Sequence, residues 1–171
     1  MDETTLSLHP PLRRCWTKRG QRHLVPAPGQ QQWVHLFGAY NWRTDAVSWH
    51  TASHKNSESF VAFLDHLLRQ CYPTQTVILV LDNASYHKSR AALAALSLFE
   101  DRLLTLWLPP YNPFLNPIER FWRHLKDIAA ANVLYPSLAA LQTQVQQALL
   151  TQNNSLAPDR FVFSKVFPLP A

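Results

Sequence analysis

Residues 76–82 read TVILVLD, and this stretch is the strongest indication of the fold. A continuous apolar run that is β-branched at its start predicts a strand buried on both faces of a sheet. Residues 103–108, LLTLWL, predict a second such strand, and the Ala- and Leu-rich segment 89–99 between them predicts a helix. Helices that alternate with buried strands are typical of α/β domains.

The rest of the chain adds strands before this unit and helices after it. Two segments rich in aromatic and β-branched residues, 32–42 and 46–51, predict antiparallel strands joined by a turn at 43–45. The remaining elements are predicted as short strands at 4–8 and 15–18 and as helices at 57–70, 117–131 and 137–151. The predicted fold class is α/β, with a mixed central sheet flanked by helices.

Composition and charge narrow the class of protein. The chain has 171 residues, 47% of them hydrophobic, which suits one folded domain with a sizeable core. The net charge of +5 and the isoelectric point of about 9.5 are compatible with a nucleic-acid partner. Two distant cysteines, Cys15 and Cys71, offer neither a zinc-ligand spacing nor a disulfide framework. Without a secretory leader or a run of about 20 apolar residues, we expect a cytoplasmic protein with no membrane partner.

Asp82 is the first candidate for chemistry, because it ends the most hydrophobic predicted strand. Ligands of open α/β sheets gather at the carboxyl ends of the strands, so an acid there suits a metal or catalytic role. The alternative is a turn-capping role in the sequence DNAS, where Asp and Asn are common.

Glu119 is the second candidate, in the sequence NPIERFW. Asn116 is a suitable N-cap and Pro117 a suitable first helical residue, so Glu119 can complete a capping box. The functional alternative is a carboxylate delivered to one place by the stiff, proline-rich loop of residues 108–117. Within the helix, one face is predicted to enter the core: Ile118, Phe121, Trp122, Leu125 and Ile128.

Charged residues at two other places leave alternatives open. Glu119, Arg123 and Lys126 share a helix face, either as a solvated surface or as a carboxylate beside phosphate-binding cations. At the start of the chain, Asp2 and Glu3 are either exposed terminal acids or the source of a first metal-binding carboxylate.

Three blocks of sequence carry a resemblance to a known family. They are DETTLSLHPPLRRCWTKRGQ from residue 2, LVLDNASYHKSR from residue 79 and LPPYNPFLNPIERFWRHLKD from residue 108; FGAYNW from residue 37 fits the same pattern. Together they resemble the DDE endonuclease domain of bacterial mariner-like insertion-sequence transposases, the IS-six-thirty group. The resemblance implies a ribonuclease-H-like fold over residues 1–152, followed by an irregular tail over residues 153–171.

The resemblance also implies roles for individual residues. Asp2, Asp82 and Glu119 become the catalytic, metal-binding triad. The residues implied to support it are Asn83, His87 and Asn116. Those implied to contact DNA are Lys88, Arg90, Arg123 and Lys126. For His87, a packing role at a helix start is the alternative.

The implied chemistry is cleavage and strand transfer of DNA during transposition. Two Mg²⁺ or Mn²⁺ ions suit the hard oxygen ligands of three carboxylates. Expected partners are transposon ends, target DNA and a second copy of the chain, and the expected location is the nucleoid of a bacterial cytoplasm.

The sequence departs from the family pattern at its start. It begins one residue before the first acid, so we expect a truncated first strand and a helix-turn-helix portion encoded in an upstream frame. A split transposase and an inactive remnant that binds DNA weakly are the alternatives to an active catalytic domain. A phosphotransferase with a nucleophilic Asp82 is disfavoured by Ala84, where such enzymes carry a second Asp, and a P-loop enzyme is excluded by the missing glycine-rich motif.

Overall fold

Five strands form two ladders in the computed structural model, which describes residues 1–27, 29–109, 116–157 and 160–162. The first ladder is antiparallel, in the order β1 (Asp2–Ser7), β2 (Trp33–Asn41) and β3 (Ala46–Ala52). The second is a parallel pair, β4 (Val77–Leu81) and β5 (Leu103–Trp107). The two ladders meet where the backbone nitrogen of Met1 donates to the carbonyl oxygen of Val80 over 2.9 Å. The predicted α/β class with strands of both directions is confirmed.

Four α-helices accompany the strands in the described part of the chain: α1 (Ser57–His66), α2 (Arg90–Ser97), α3 (Pro117–Ala129) and α4 (Leu138–Asn153). A π-helical turn, Leu67–Cys71, continues α1. Side-chain oxygens of Asn56, Ser89 and Ser137 cap the starts of α1, α2 and α4, as expected for these residue types. No helix in the described ranges is both long and apolar enough to cross a bilayer.

The antiparallel ladder carries a core on each of its two faces, because side chains alternate along a strand. On one face, Leu36 packs with Phe121 and Leu125 of α3, and we call this the α3 side. On the other, Phe37 packs with Phe63 of α1, and we call this the α1 side. Each side therefore has its own hydrophobic cluster, and the strands between them present residues to both.

The parallel strands are buried on one face only, so the prediction of burial on both faces is wrong. Leu79 and Leu81 are 4% and 0% exposed, whereas Ile78 and Leu104 are 61% and 54% exposed. The buried face packs with α1 and α2. In the described ranges no element covers the opposite face, and this accounts for its exposure.

Three smaller predictions need correction or lie outside the described residues. No strand forms at residues 15–18, where Trp16 is fully exposed and no neighbouring strand offers a ladder. Ile128 is 50% exposed, and Ala129 takes the last place on the buried face of α3, as a period of 3.6 residues requires. Most of the proline-rich loop, residues 110–115, lies outside the described residues.

Candidate active site

The two acids at the start of β1 point to opposite sides of the ladder. Asp2 is paired with Gly38 in the register of β1 and β2, and Glu3 is paired with Phe37. Directly opposed residues of an antiparallel pair share a face. Phe37 belongs to the α1 side, whereas Gly38 touches Trp122 of α3. Asp2 therefore lies on the α3 side and Glu3 on the α1 side.

Asp2 is a carboxyl group in unfavourable surroundings. Burial, the neighbouring charge of Glu3 and the charge of Glu119 raise the pKa of Asp2 from 3.8 to about 7. Burial contributes most, because it disfavours the charged form. A strongly perturbed pKa marks a carboxyl group as a candidate functional residue.

Glu3 is neither an exposed terminal acid nor an open ligand. Its side chain is 4% exposed, and its two oxygens are each in contact with another residue. One oxygen accepts a hydrogen bond from the hydroxyl of Tyr86, and Nε2 of His87 lies 2.9 Å from the other. Sequence reasoning missed this arrangement, because Tyr86 and His87 lie 83 and 84 positions from Glu3 in the chain.

His87 connects Glu3 to Asp82. Its ring is fully buried, and its Nδ1 lies 2.9 Å from Oδ1 of Asp82, close enough for an ion pair but poorly aligned for a hydrogen bond. Burial alone would lower the pKa of His87, but the contacts with Asp82 and Glu3 outweigh it and raise the pKa to about 9. His87 therefore lies between Glu3 and Asp82, and both contacts favour the protonated form of its ring.

Asp82 follows the end of β4 and makes the turn contact that the sequence allows. Its Oδ1 accepts a hydrogen bond from the backbone nitrogen of Ala84 over 3.0 Å, which is the predicted turn. The contact with His87 lowers the pKa of Asp82, so the carboxylate is charged at neutral pH. The side chain is 44% exposed, and Oδ2 makes no hydrogen bond to any described residue. That oxygen is available to a ligand.

Glu119 lies in the first turn of α3 and faces solvent. The predicted capping box is absent: the side chain of Asn116 makes no cap bond and instead donates to the carbonyl oxygen of Met1 over 3.1 Å. Partial burial and the charge of Asp82 raise the pKa of Glu119, while Arg123 opposes them. Asn116 is 4% exposed and links the start of α3 to the start of β1.

Of the three acids predicted as a triad, Glu119 is coupled electrostatically to each of the other two. The charge of Glu119 raises the pKa of Asp2, and the charge of Asp82 raises the pKa of Glu119. Within the described residues, however, no three His, Cys, Asp or Glu side chains are close enough together to hold a metal ion as they stand. Carboxylates are hard oxygen donors, the type of ligand that Mg²⁺ and Mn²⁺ prefer.

Asn83 and Lys88 brace the strand end that carries Asp82. The side-chain nitrogen of Asn83 donates to the carbonyl oxygen of Leu108 just beyond β5 over 2.5 Å. The ammonium group of Lys88 donates to Asn83 over 2.6 Å and lies 5.4 Å from the centre of the Trp107 ring. The ends of the two parallel strands are thereby tied together.

The remaining predicted cations differ in exposure. Arg90 and Arg123 are exposed, so each is accessible to an anion. Lys126 is half-buried: burial and the charge of Lys55 lower its pKa, whereas the charge of Asp2 raises it. Lys126 therefore lies on the α3 side, within electrostatic range of Asp2.

The sequence of this chain matches a known protein family and two known proteins. The family model described as DDE superfamily endonuclease matches residues 1–142. The chain belongs to the DDE superfamily of endonucleases. An insertion element IS630 protein of 39 kDa from Shigella sonnei is 31% identical over 150 residues, which cover 88% of this chain and 43% of that protein. The protein y4pE/y4sA of Sinorhizobium fredii (strain NBRC 101917 / NGR234) is 24% identical over 103 residues, 60% of this chain and 73% of that protein.

Solved structures share the fold of this DDE domain. A paired-end complex of the Mos1 transposase with the left transposon end superposes with a TM-score of 0.64 at 18% identity, over 87% of this chain and 46% of that one. A Mos1 mariner paired-end complex with Mn has a TM-score of 0.58 at 17% identity, and the match covers 87% of this chain and 46% of that one. The catalytic core domain of BIV integrase has a TM-score of 0.53 at 16% identity, and the match covers 79% of this chain and 86% of that one. The fold is ribonuclease-H-like, and the domain spans less than half the length of the IS630 and Mos1 proteins.

Proposed function

We propose that this DDE domain is the catalytic part of a DNA transposase, which cleaves DNA strands and transfers them with the help of two divalent metal ions. The observation that carries the proposal is that Met1 joins the elements of the three acids: its nitrogen donates to Val80 in β4, and its carbonyl oxygen accepts from Asn116 at the start of α3. Two electrostatic influences agree with this, since the charge of Glu119 raises the pKa of Asp2 and the charge of Asp82 raises the pKa of Glu119. The three acids come from a strand, a strand end and a helix that are far apart in sequence. Like charges are brought together in proteins where a cation offsets their repulsion.

The three carboxylates are the groups that would hold Mg²⁺ or Mn²⁺. Oδ2 of Asp82 and the carboxylate of Glu119 face solvent, and Asp2 is the acid whose charge is least compensated. When bound, two such ions supply activation of water or of a DNA 3′-hydroxyl and stabilise the leaving oxygen.

The chain's own residues would position the ligands and the substrate. His87 and the backbone nitrogen of Ala84 fix one oxygen of Asp82, so that the other remains free. Asn83 ties the end of β4 to the residue after β5, and Asn116 ties α3 to the start of β1. The cations proposed to hold DNA phosphates are Lys88, Arg90, Arg123 and Lys126, since phosphate contacts align the strand without reading its sequence.

The partners of the whole protein are part of the same proposal. They are transposon ends, target DNA, a helix-turn-helix portion that reads the ends and a second copy of the chain. The Mos1 complexes are assemblies of a transposase with transposon-end DNA, and this motivates the assignment. Residues 1–152 would form the catalytic unit in a bacterial cytoplasm. The tail predicted at 153–171 needs correction at two places, since Asn153 ends α4 and Phe161 packs into the core on the α3 side.

A second candidate is a domain that binds DNA weakly and does not cleave it. The observation in its favour is that the acids, within the described residues, are not gathered closely enough to hold an ion. In this case metal would neither bind to the domain nor change its action on DNA.

Nicking of supercoiled plasmid by the 171-residue chain, with Mg²⁺ or Mn²⁺, separates the two candidates. We expect Asp82→Asn and Glu119→Gln each to remove metal-dependent nicking, because each keeps the shape of the side chain but removes a negative ligand. Asp65→Asn is the matched control, since Asp65 is an exposed acid paired with Arg69 on α1. Nicking that survives either triad substitution would exclude that residue as an essential ligand, and a wild-type chain that does not nick would favour the second candidate.

A further inference from the structure

We propose that Glu3 and His87 form a buried pair that positions Asp82 for metal binding, an inference that rests on the function proposed above. Glu3 would take no part in holding the ion. Its side chain is 4% exposed and both of its oxygens are in contact with protein groups, Tyr86 and His87. Because the carboxylate is almost fully buried and each oxygen is already engaged by a protein group, Glu3 is poorly placed to hold an ion.

The orientation of His87 is determined from several directions. Its ring lies 4.5 Å from the ring of Phe60 and 4.6 Å from that of Tyr86, measured between centroids. Its backbone nitrogen donates to the carbonyl oxygen of Ala84 over 3.0 Å. With Nε2 held at Glu3, the imidazole directs Nδ1 to Oδ1 of Asp82.

The effect on Asp82 is to separate its two oxygens into different roles. Oδ1 is in contact with His87 and with the backbone of Ala84, both on the protein side. A carboxylate held through one oxygen cannot rotate freely, so Oδ2 keeps one direction. Partners that orient ligands in this manner account for about 10–100-fold of metal affinity in known sites.

The pair also connects β1 to the residue after β4, and these two strands belong to different ladders. Asp2 lies on β1, which pairs with β2, and Asp82 follows β4, which pairs with β5; the hydrogen bond from the nitrogen of Met1 to Val80 joins the two ladders. Glu3 is the chain neighbour of Asp2, and His87 reaches across to Asp82. The contact from Glu3 to His87 to Asp82 therefore fixes the second acid relative to the strand that carries the first.

The test measures Mn²⁺ binding to the full 171-residue chain by electron paramagnetic resonance, with folding followed by circular dichroism. We expect Glu3→Gln to weaken Mn²⁺ binding by about 10–100-fold. Tyr86→Phe removes only the hydroxyl that Glu3 accepts from, so we expect a smaller loss, about 2–5-fold. Gln152→Met is the matched control: Gln152 is a buried, hydrogen-bonded residue on the α3 side, and its loss should leave Mn²⁺ affinity unchanged.

The outcomes separate this inference from the proposed function. If Glu3→Gln folds and binds Mn²⁺ as the wild type does, the positioning pair is refuted. If Glu3→Gln does not fold, Tyr86→Phe decides, and wild-type affinity in that variant refutes the pair. An equal loss in Gln152→Met would also refute it, because general destabilisation would then explain the effect. Absence of Mn²⁺ binding by the wild type, or full binding by Asp82→Asn, would instead contradict the metal-binding function itself.

Discussion

The α1 side and the α3 side of the antiparallel ladder hold their acids by different physical means. On the α1 side, hydrogen bonds and an ion pair from Glu3, His87 and Ala84 reach Asp82. On the α3 side, Glu119 is exposed, and its position depends on how the helix that carries it packs. Polar contacts fix the direction of one side chain, whereas packing places a whole element and leaves the side chain free to move.

The packing of α3 depends on a glycine. A Cβ atom at Gly38 would lie 2.6 Å and 2.7 Å from two ring carbons of Trp122, closer than such atoms approach in proteins. Gly38 is also the cross-strand partner of Asp2. The missing side chain therefore lets Trp122 fit against the ladder beside Asp2, one helical turn after Glu119.

Substitution at Gly38 should cause the largest loss of stability. Gly38→Ala would force Trp122 and α3 away from the ladder, and overpacking of this kind costs about 1–3 kcal/mol, here toward the upper end. We expect a lower melting temperature by thermal denaturation and weaker Mn²⁺ binding.

A second substitution tests the cause. Trp122→Phe removes the outer part of the ring, so in the double variant it should restore part of the stability that Gly38→Ala loses. If the two losses simply add, the contact between Gly38 and Trp122 does not determine the position of α3.

Asp2 should be a source of instability in the absence of metal. Since its pKa is raised to about 7 in the folded state from 3.8, the folded protein binds the proton more tightly than the unfolded chain does. Stability is therefore lost as the pH rises from about 4 to 7, and Asp2→Asn should recover up to about 4 kcal/mol of unfolding free energy above that range.

The measurement is thermal denaturation in a chelating buffer at about pH 5 and about pH 8. The melting temperature of Asp2→Asn should exceed that of the wild type by more at the higher pH than at the lower one. An advantage that is equal at both pH values, or absent, would show that Asp2 is not held in an unfavourable site.

The smallest changes in stability are expected for Asp82→Asn and Glu119→Gln, and the two should differ. Asp82→Asn removes a charge that His87 stabilises, so it should lower the free energy of unfolding by about 1 kcal/mol near neutral pH. Because the pKa of Asp82 is lowered, this difference should disappear as the pH falls through that pKa. Glu119→Gln changes an exposed side chain and should stay within about 0.5 kcal/mol.

Chemical denaturation of both variants without metal provides the check. A loss for Glu119→Gln as large as that for Asp82→Asn would contradict the difference between the two sides. Equal stability of Asp82→Asn and the wild type would mean that His87 contributes nothing to folding through Asp82.

Much of the fold was predictable because its signals are local. The apolar runs before Asp82 and after residue 102 predicted β4 and β5 to within a residue or two, and the predicted helix starts at 57 and 89 lie within one residue of the observed ones. The capping box at Glu119 was wrong although its sequence fits, because the buried side chain of Asn116 donates to Met1 instead. A local pattern is overridden where a distant group offers a buried partner.

The sequence by itself determined which residue types are available: three acids in blocks that resemble one family, on segments whose periodicity predicts strand and helix. Only the tertiary structure decided the division between Asp2 and Glu3, which are neighbours of the same charge. Their sides follow from the register that sets Asp2 against Gly38 and Glu3 against Phe37. The role of Glu3 further requires contact with His87, 84 positions away in the chain. Such a contact depends on how strands and helices pack, and no local pattern encodes it.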